Sequence, residues 1–251
     1  MAALSPDATL IPDDSTIHVR VTRKVFAAAG GRDEQHVLNN VAFDVAPRSF
    51  LILTGPSGCG KSTLLNIIAG LDKDFEGSID LGTSRDHMAF IFQSPRLLPW
   101  RTVYENIALV LPEGDLRHGK IPEMLERVGL TQAANAYPER ISLGMQRRAA
   151  LARGFILDPQ ILLMDEPFVS LDDPTAQSLR ELVIELWNRQ PTTVIFVTHD
   201  RAEAVQLGTR ILRMSAGQAT VVQDATVGLS LEERRDRAAV VREQMRIFGT
   251  F

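Results

Sequence analysis

A glycine-rich octapeptide between an apolar run and a helical pattern constrains this chain more than any other feature. Residues 55–62 read GPSGCGKS, directly after the apolar run at 50–53 and before the helical pattern at 63–69. Glycines at these spacings let successive backbone N–H groups point inward at phosphate oxygens, and the following helix directs its positive end at the same anion. The segment in this context predicts a phosphate-binding loop. We expect the loop to be formed by Gly55, Pro56, Ser57, Gly58, Cys59, Gly60, Lys61, Ser62 and Thr63.

Four side chains are expected to carry the chemistry of this site. Lys61 supplies a charge for the β and γ phosphates, and the hydroxyl of Ser62 is expected to bind Mg²⁺. A second apolar run at 161–164 ends in Asp165 and Glu166. Neighbouring side chains leave a strand on opposite sides. We therefore expect Asp165 to orient the metal and Glu166 to polarise a water aimed at the γ-phosphate.

The remaining pattern is typical of an α/β protein. Short apolar runs alternate with helical patterns, which indicates a parallel sheet. Strands are also predicted at 16–21 and 37–45, across a glycine-rich turn at 27–35, and amphipathic helices fill 101–157. A last helix is expected to present one apolar stripe, either for packing on the domain or for docking. Its members are Ala238, Val241, Met245 and Phe248.

Length and composition exclude several classes of protein. The chain has 251 residues, of which 45% are hydrophobic, and its net charge is −4. That charge provides no basic field for nonspecific nucleic-acid binding. A single cysteine forms no internal disulfide, which is typical of a reducing cytoplasm. No apolar run approaches the roughly 20 residues that span a bilayer, so a membrane role would require another chain.

Several short motifs, in their order along the chain, resemble the ATP-binding subunits of ABC transporters. The resemblance covers residues 16–222. It implies a P-loop NTPase (RecA-like) core with an antiparallel β subdomain and an inserted α-helical subdomain at about 98–157. Residues 1–15 are then a flexible arm and 223–251 a helical tail. The motifs are Phe26, the loop at 55–62, Gln93, the stretches 141–146, 161–166 and 170–172, and His199.

The resemblance implies ATP and Mg²⁺ as ligands and assigns a role to each matching residue. Phe26 stacks on adenine, Gln93 contacts Mg²⁺ and the attacking water, and His199 contacts the γ-phosphate. Ser142 and Gly144 bind the ATP held by a second copy of the chain, and Asp172 contacts that copy. Asp172 could instead cap the helix that begins near residue 174.

The family pattern Leu-Ser-Gly-Gly-Gln differs from this chain at three positions, of which Ile141 keeps the apolar anchor and Met145 also occurs in importer branches. Residues 141–145 read ISLGM, so Leu143 replaces the first glycine. A leucine restricts φ and adds bulk where a phosphate approaches. A nucleotide-binding switch that hydrolyses ATP poorly is therefore an alternative function.

The stretch that follows Gln93 indicates a branch of the family. It resembles bacterial importers of nitrate, taurine and aliphatic sulfonates, in which it contacts the membrane permease. Leu97, Leu98 and Trp100 suit a groove for an apolar helix, or internal packing. The implied protein is peripheral on the cytoplasmic face of the membrane and works indirectly with a solute-binding protein. Residues 147–153 also resemble phospholipid-trafficking ATPases. A soluble ABC ATPase of DNA repair, chromosome or ribosome work is the other alternative.

Overall fold

Two sheets and seven α-helices make up the part of the chain that the structure describes. The structure is a computed structural model, and it describes residues 16–27, 34–82 and 87–249. The predicted arm at 1–15 and most of the predicted turn at 27–35 lie outside these residues. None of the described helices combines the length and the apolar character that crossing a membrane requires.

The phosphate-binding loop at 55–62 follows an inner strand of the larger sheet. Its strands are β3 (Phe50–Thr54), β5 (Met88–Ile91), β6 (Ile161–Asp165), β7 (Thr193–Val197), β8 (Arg210–Met214) and β9 (Val221–Thr226). They lie in the order β5-β6-β7-β3-β8-β9, and only the β8–β9 pair is antiparallel. Every residue of β3 and β7 is buried. Burial on both faces explains why these strands are continuous apolar runs.

The smaller sheet is antiparallel, as the sequence predicts. It contains β1 (Ile17–Phe26), β2 (Gln35–Val45) and β4 (Glu76–Asp80), with β1 in the middle. The apolar side chains of β1 and β2 pack with Leu51 and Leu53 of β3 in one core. Phe50 and Ile52 face the opposite core, because successive side chains of a strand alternate in direction. The two cores hold the two subdomains on the central strand.

The helices lie between and after the strands. They are α1 (Lys61–Ile68), α2 (Val103–Ala108), α3 (Ile121–Arg127), α4 (Leu143–Phe155), α5 (Asp173–Arg189), α6 (Arg201–Leu207) and α7 (Arg237–Phe248). Helices α2 to α4 lie between β5 and β6, where the inserted helical subdomain is predicted. The boundary predicted between residues 222 and 223 falls within β9. The α/β class with an antiparallel second sheet is confirmed.

The buried face of α7 differs from the predicted stripe. Val241 and Met245 are exposed, whereas Ala239, Val240 and Ile247 are buried together with Glu243. The Glu243 carboxylate accepts a hydrogen bond from the N–H of Gly228 (2.7 Å) and pairs with Arg246 at 2.6 Å. A buried carboxylate with its hydrogen bonds satisfied is tolerated. The prediction from apolar spacing alone was therefore wrong about the packed face, although packing on the domain is what the helix does.

Candidate nucleotide site

The glycines of the loop at 55–62 adopt conformations that other residues rarely reach. Gly58 has φ +75° and Gly60 has φ +103°. A Cβ atom at Gly60 would lie 2.7 Å from Cγ1 of Val37 and 2.9 Å from Cδ2 of Leu38, so that position has no room for a side chain. Gly60 is also the N-cap of α1, and no side chain caps that helix. The free N–H groups of the first turn of α1 are therefore available to an anion.

Lys61 holds its ammonium group inside the loop. The side chain is almost fully buried, and its Nζ donates to the carbonyl oxygens of Gly55 (3.0 Å) and Pro56 (2.9 Å). Both acceptors are neutral, so no carboxylate cancels the positive charge in these contacts. Cys59 is also buried and packs in the core, which leaves only its backbone to face a phosphate. The loop is thus a cationic cradle built mainly from main chain.

Ser62 and Asp165 meet at the start of α1 and the end of β6. The hydroxyl of Ser62 donates to Oδ1 of Asp165 at 3.0 Å. The pKa of the Asp165 carboxyl is raised overall. Burial is the largest cause and the charge of Glu166 adds to it, whereas the Ser62 hydrogen bond and the charge of Lys61 lower the pKa. Hydroxyl and carboxylate oxygens are the ligands that Mg²⁺ prefers. No described cluster of three or more His, Cys, Asp or Glu side chains could hold a metal alone. A Mg²⁺ ion here would complete its shell with phosphate and water oxygens.

Glu166 and His199 come together from neighbouring strands. Nδ1 of His199 lies 3.2 Å from Oε1 of Glu166, and the Glu166 N–H donates to the carbonyl of Val197 at 3.0 Å. Glu166 has φ +42°, so it has already left the strand. The two carboxylates do point to different partners, Asp165 to Ser62 and Glu166 to His199. A turn into the left-handed region separates them, rather than the strand alternation expected from the sequence.

The residues beside His199 form a hydrogen-bond network that the sequence did not reveal. Thr198 donates through Oγ1 to Oε2 of Glu203 (2.6 Å) and accepts from the N–H of Asp200 (3.0 Å). Burial raises the pKa of Glu203, while its bond with Thr198 and its neighbour Arg180 lower it. A threonine next to the histidine and a glutamate four residues after it are the only local signals, and both are common.

Gln93 follows β5 on an exposed segment. Its carbonyl accepts a hydrogen bond from Nη1 of Arg147, and Nη2 of the same arginine donates to the carbonyl of Val169 at 3.2 Å. Arg147 is buried, so it ties the Gln93 segment to the segment after Glu166. Among the described residues, the Gln93 side chain makes no hydrogen bond with Ser62 or Asp165. The sequence analysis did not single out Arg147 as a clamp.

Ser142, Gly144 and Asp172 form a second group of predicted site residues. The Ser142 hydroxyl caps α4 and accepts from the N–H of Met145 at 3.3 Å. Asp172 caps α5 and accepts from the N–H of Thr175 at 3.1 Å. A Cβ at Gly144 would lie 2.7 Å from Cγ2 of Thr175. Gly144 therefore allows the starts of α4 and α5 to touch. None of the described hydrogen bonds joins this group to the loop at 55–62 of the same chain.

Leu143 is the first residue of α4, and its side chain is 40% exposed. It is absent from the residues with positive φ. The expectation that a leucine here restricts a needed backbone conformation is therefore wrong, because a helical φ suits leucine well. Only the added bulk of its side chain distinguishes it from glycine.

Phe26 ends β1 with its ring 44% exposed. Nζ of Lys24 lies 4.7 Å from the ring centroid, which is a cation–π contact. Lys24 is almost fully buried and is fixed by Asp72 at 2.9 Å and by the carbonyl of Asp74 at 2.5 Å. The ring is therefore oriented by a rigid cation, and part of it remains open to a ligand.

The segment after Gln93 divides its apolar side chains between core and surface. Leu97 packs against the core, whereas Trp100 is 68% exposed. Asn106 is fully buried, accepts from the N–H of Leu98 (2.7 Å) and donates to the carbonyls of Leu98 (3.1 Å) and Arg101 (3.0 Å). This asparagine fixes the loop that presents Trp100. Internal packing accounts for Leu97 and not for Trp100.

Comparisons with known proteins agree with this geometry. The profile of the family described as ABC transporter matches residues 38–169. The Aliphatic sulfonates import ATP-binding protein SsuB 1 of Pseudomonas savastanoi pv. phaseolicola is 41% identical over 224 residues, which cover 89% of this chain and 91% of the relative. The Aliphatic sulfonates import ATP-binding protein SsuB of Bacillus subtilis is 37% identical over 241 residues, 94% of each chain.

Solved structures resemble the whole architecture. The dimeric structure of MJ0796, described as a bacterial ABC transporter cassette, has a TM-score of 0.72 and 31% identity, and covers 85% of this chain and 100% of that chain. A dimeric post-hydrolysis state of MJ0796 bound to ADP and Pi has a TM-score of 0.71 and 30% identity, with the same coverage.

Proposed function

The chain belongs to the ABC transporter family, and we propose on this premise that it is the ATP-hydrolysing subunit of a bacterial importer of aliphatic sulfonates. The ATPase part is supported above all by the position of Lys61 beside the hydrogen-bonded pair Ser62 and Asp165. A cationic cradle next to a pair of oxygen ligands suits a triphosphate with its Mg²⁺. The solute class is supported by the names of the relatives.

In the reaction, water attacks the γ-phosphorus of ATP, the bond from that phosphorus to the β–γ bridging oxygen breaks, and ADP and phosphate are released. The phosphate loop holds the triphosphate. Ser62 and Asp165 would hold and orient Mg²⁺, which would supply positive charge to the phosphate oxygens. Glu166 polarises the attacking water, and His199 orients Glu166 and contacts the γ-phosphate. Gln93 lies on the segment that Arg147 clamps, and from there its side chain would be the group that reaches Mg²⁺ and the attacking water.

Two copies of the chain act together. Ser142 and Gly144 lie at the start of α4, away from the loop of their own chain, and they bind the ATP held by the partner copy. Helix N-termini bind phosphate well because their N–H groups are free. Asp172 caps α5 and contacts the partner as well. Each ATP is therefore enclosed between two copies, and dimeric relatives of this fold support that arrangement.

The segment from Gln93 to Trp100 contacts the permease. Exposed Trp100, held on a loop fixed by Asn106, suits a groove that receives an apolar helix of a membrane subunit. The chain is then peripheral on the cytoplasmic face, and a solute-binding protein acts from the other side. A phospholipid-trafficking role is not favoured, since the relatives named above are sulfonate importers.

ATP binding and hydrolysis are separable by two substitutions. Lys61→Ala is expected to abolish binding of Mg-ATP, whereas the exposed Lys73→Ala leaves it unchanged. Glu166→Gln keeps binding and lowers kcat by at least about 100-fold, because general base catalysis contributes roughly that much. Exposed Glu76→Gln is its matched control. Wild-type affinity for Mg-ATP in Lys61→Ala would refute the site.

The transported solute requires a test in cells. Deletion of the gene is expected to abolish growth on an alkanesulfonate as the only sulfur source, and the wild-type chain restores growth while Lys61→Ala does not. Unimpaired growth on alkanesulfonates, together with loss of uptake of another solute, would leave the ATPase assignment intact and refute the solute.

A further inference from the structure

A cavity of two compartments lies at the ends of the strands away from the phosphate-binding loop. Its larger compartment has a volume of about 1040 Å³ and its smaller one about 350 Å³. Phe50, at the start of β3, lines the smaller compartment, whereas Gly55 follows the other end of that strand. The two compartments share wall residues. These are Ile184, Asn188, Gln206, Leu231 and Arg234.

The smaller compartment is largely apolar. Trp187 packs edge-on against Phe50 with ring centroids 5.6 Å apart, and Leu229 and Leu231 also line the compartment. The indole N–H of Trp187 donates to the carbonyl of Thr192 at 2.8 Å. The ring therefore offers the cavity an apolar surface with no unsatisfied donor. Leu231 is 55% exposed where the compartments meet.

More arginines than glutamates line the larger compartment, although Glu181 and Glu232 bring negative charge beside them. Its lining contains six arginines and three glutamates. The arginines are Arg127, Arg148, Arg180, Arg189, Arg234 and Arg235. Carboxylates neutralise three of them in ion pairs, namely Arg127 with Glu123, Arg180 with Glu203 and Arg189 with Glu185.

Two arginines that line the larger compartment donate hydrogen bonds to neutral acceptors. Arg148 donates to the carbonyl of Val128 and the hydroxyl of Ser178. Arg234 is only 8% exposed, and its Nη1 donates to the carbonyls of Val205 and Gln206. Burial lowers the pKa of Arg234, and the charge of Glu243 opposes this. Neutral acceptors leave the charge of Arg148 unbalanced, whereas Glu243 balances part of the charge of Arg234.

We propose that this cavity binds a free amphiphilic organic anion, with an alkyl chain against Trp187 and Leu229 and a sulfonate, sulfate or carboxylate head against Arg234 and Arg235. Apolar surface and three arginines outside the ion pairs named above adjoin each other here, and an alkyl anion complements both. The site is separate from the ATP site and does not depend on which solute the importer carries.

Trp187 provides a direct reporter. The chain has two tryptophans, so Trp100→Phe leaves Trp187 as the only one. Titration with 1-octanesulfonate below its micellar concentration is expected to give a saturable change in its fluorescence. Ethanesulfonate, with six fewer methylenes, and uncharged octyl glucoside are each expected to bind at least about tenfold more weakly, because chain burial and the charged head both contribute. Calorimetry on the unsubstituted chain measures the same affinities.

Two exposed arginines form a matched pair of variants. Arg235 lines the cavity, whereas Arg237 begins α7 outside it. Arg235→Gln is expected to weaken octanesulfonate binding about fivefold or more, as loss of a charged partner does, and Arg237→Gln to change it less than twofold. Saturating Mg-ATP should leave the affinity unchanged.

Four results would overturn the proposal. They are no saturable binding in either measurement, equal affinity for octyl glucoside, equal losses in Arg235→Gln and Arg237→Gln, and binding only to vesicles that contain phosphatidylglycerol. Binding only to such vesicles would mean that the arginines contact an anionic membrane surface and not a free anion.

Discussion

Nδ1 of His199 and Oε1 of Glu166 lie 3.2 Å apart although the residues follow different strands. The parallel register of β6 and β7 pairs Asp165 with Val197, so both strands end at the same level. The left-handed turn at Glu166 then directs its carboxylate toward the histidine. A histidine in contact with the general base fixes the direction in which that base faces the attacking water.

We therefore expect His199→Ala to lower kcat by about 100-fold, the lower range for a general acid–base contribution, with a smaller effect on KM for ATP. The measurement is steady-state ATPase activity. His118→Ala serves as control, because His118 is half-buried in the helical subdomain, where its Nε2 contacts the carbonyl of Pro112. Equal activity in the two variants would mean that the contact with Glu166 has no catalytic role.

Gly144 and Thr175 offer a double-mutant test of the contact between α4 and α5. Gly144→Ala places a methyl group 2.7 Å from Cγ2 of Thr175, so we expect a loss of about 1–3 kcal/mol in the free energy of unfolding, typical of overpacking. Thr175→Ser removes Cγ2 and makes room. In that background Gly144→Ala should stabilise the chain by about 0.5–1 kcal/mol through helix propensity. Denaturant unfolding of the four chains measures the coupling, and additive effects would exclude the contact.

Leu143→Gly tests the departure from the family pattern. Because Leu143 is helical and partly exposed, only its bulk can disturb a phosphate held by a second copy. We expect ATP-dependent dimerisation, measured by light scattering in the Glu166→Gln background, to become stronger. Helix stability falls by about 1 kcal/mol or less in the same variant. Unchanged dimerisation would show that the leucine already fits the closed dimer.

Phe26 is expected to recognise the base of ATP by stacking. Phe26→Leu should raise KM for ATP about tenfold, since stacking contributes roughly 1–3 kcal/mol per base. Phe26→Tyr keeps an aromatic ring over Lys24 and should retain KM within about twofold of wild type by the same argument. The ratio of the two KM values is the measurement, and equal values would indicate that an apolar side chain is sufficient.

The ion pair between Asp115 and Arg117 in the helical subdomain is expected to be sensitive to acid. Hydrogen bonds from the side chain and the N–H of Arg117 lower the pKa of Asp115 to about 2. A lowered pKa means that its stabilising contribution is complete above the ordinary value near 4 and is lost as the pH falls through about 2. The difference in unfolding free energy between wild type and Asp115→Asn should therefore shrink over that interval. A difference that stays constant would contradict the ion pair.

Much of the fold follows from local pattern. The apolar runs at 50–53 and 161–164 both lie within strands of the larger sheet, β3 and β6, because strands buried on both faces are continuous apolar runs. The loop at 55–62 was predictable for the same reason. Its glycines and lysine act together with the backbone next to them. The residues that bind phosphate are therefore consecutive in the sequence.

The contacts between residues far apart in the sequence could not be predicted from local pattern. Arg147 clamps Gln93 and Val169 through carbonyl oxygens, and any residue has a carbonyl. Lys24 reaches Asp72 only because a strand and a loop fold together.

The sequence by itself determined the phosphate loop, the order of strands and helices and the identity of the charged residues, since these depend on spacing along the backbone. Tertiary structure alone decided that Glu166 meets His199, that α7 buries Glu243 instead of Met245, and that arginines collect beside Trp187. Those outcomes depend on which polar atoms find partners across the fold, and no local pattern records that.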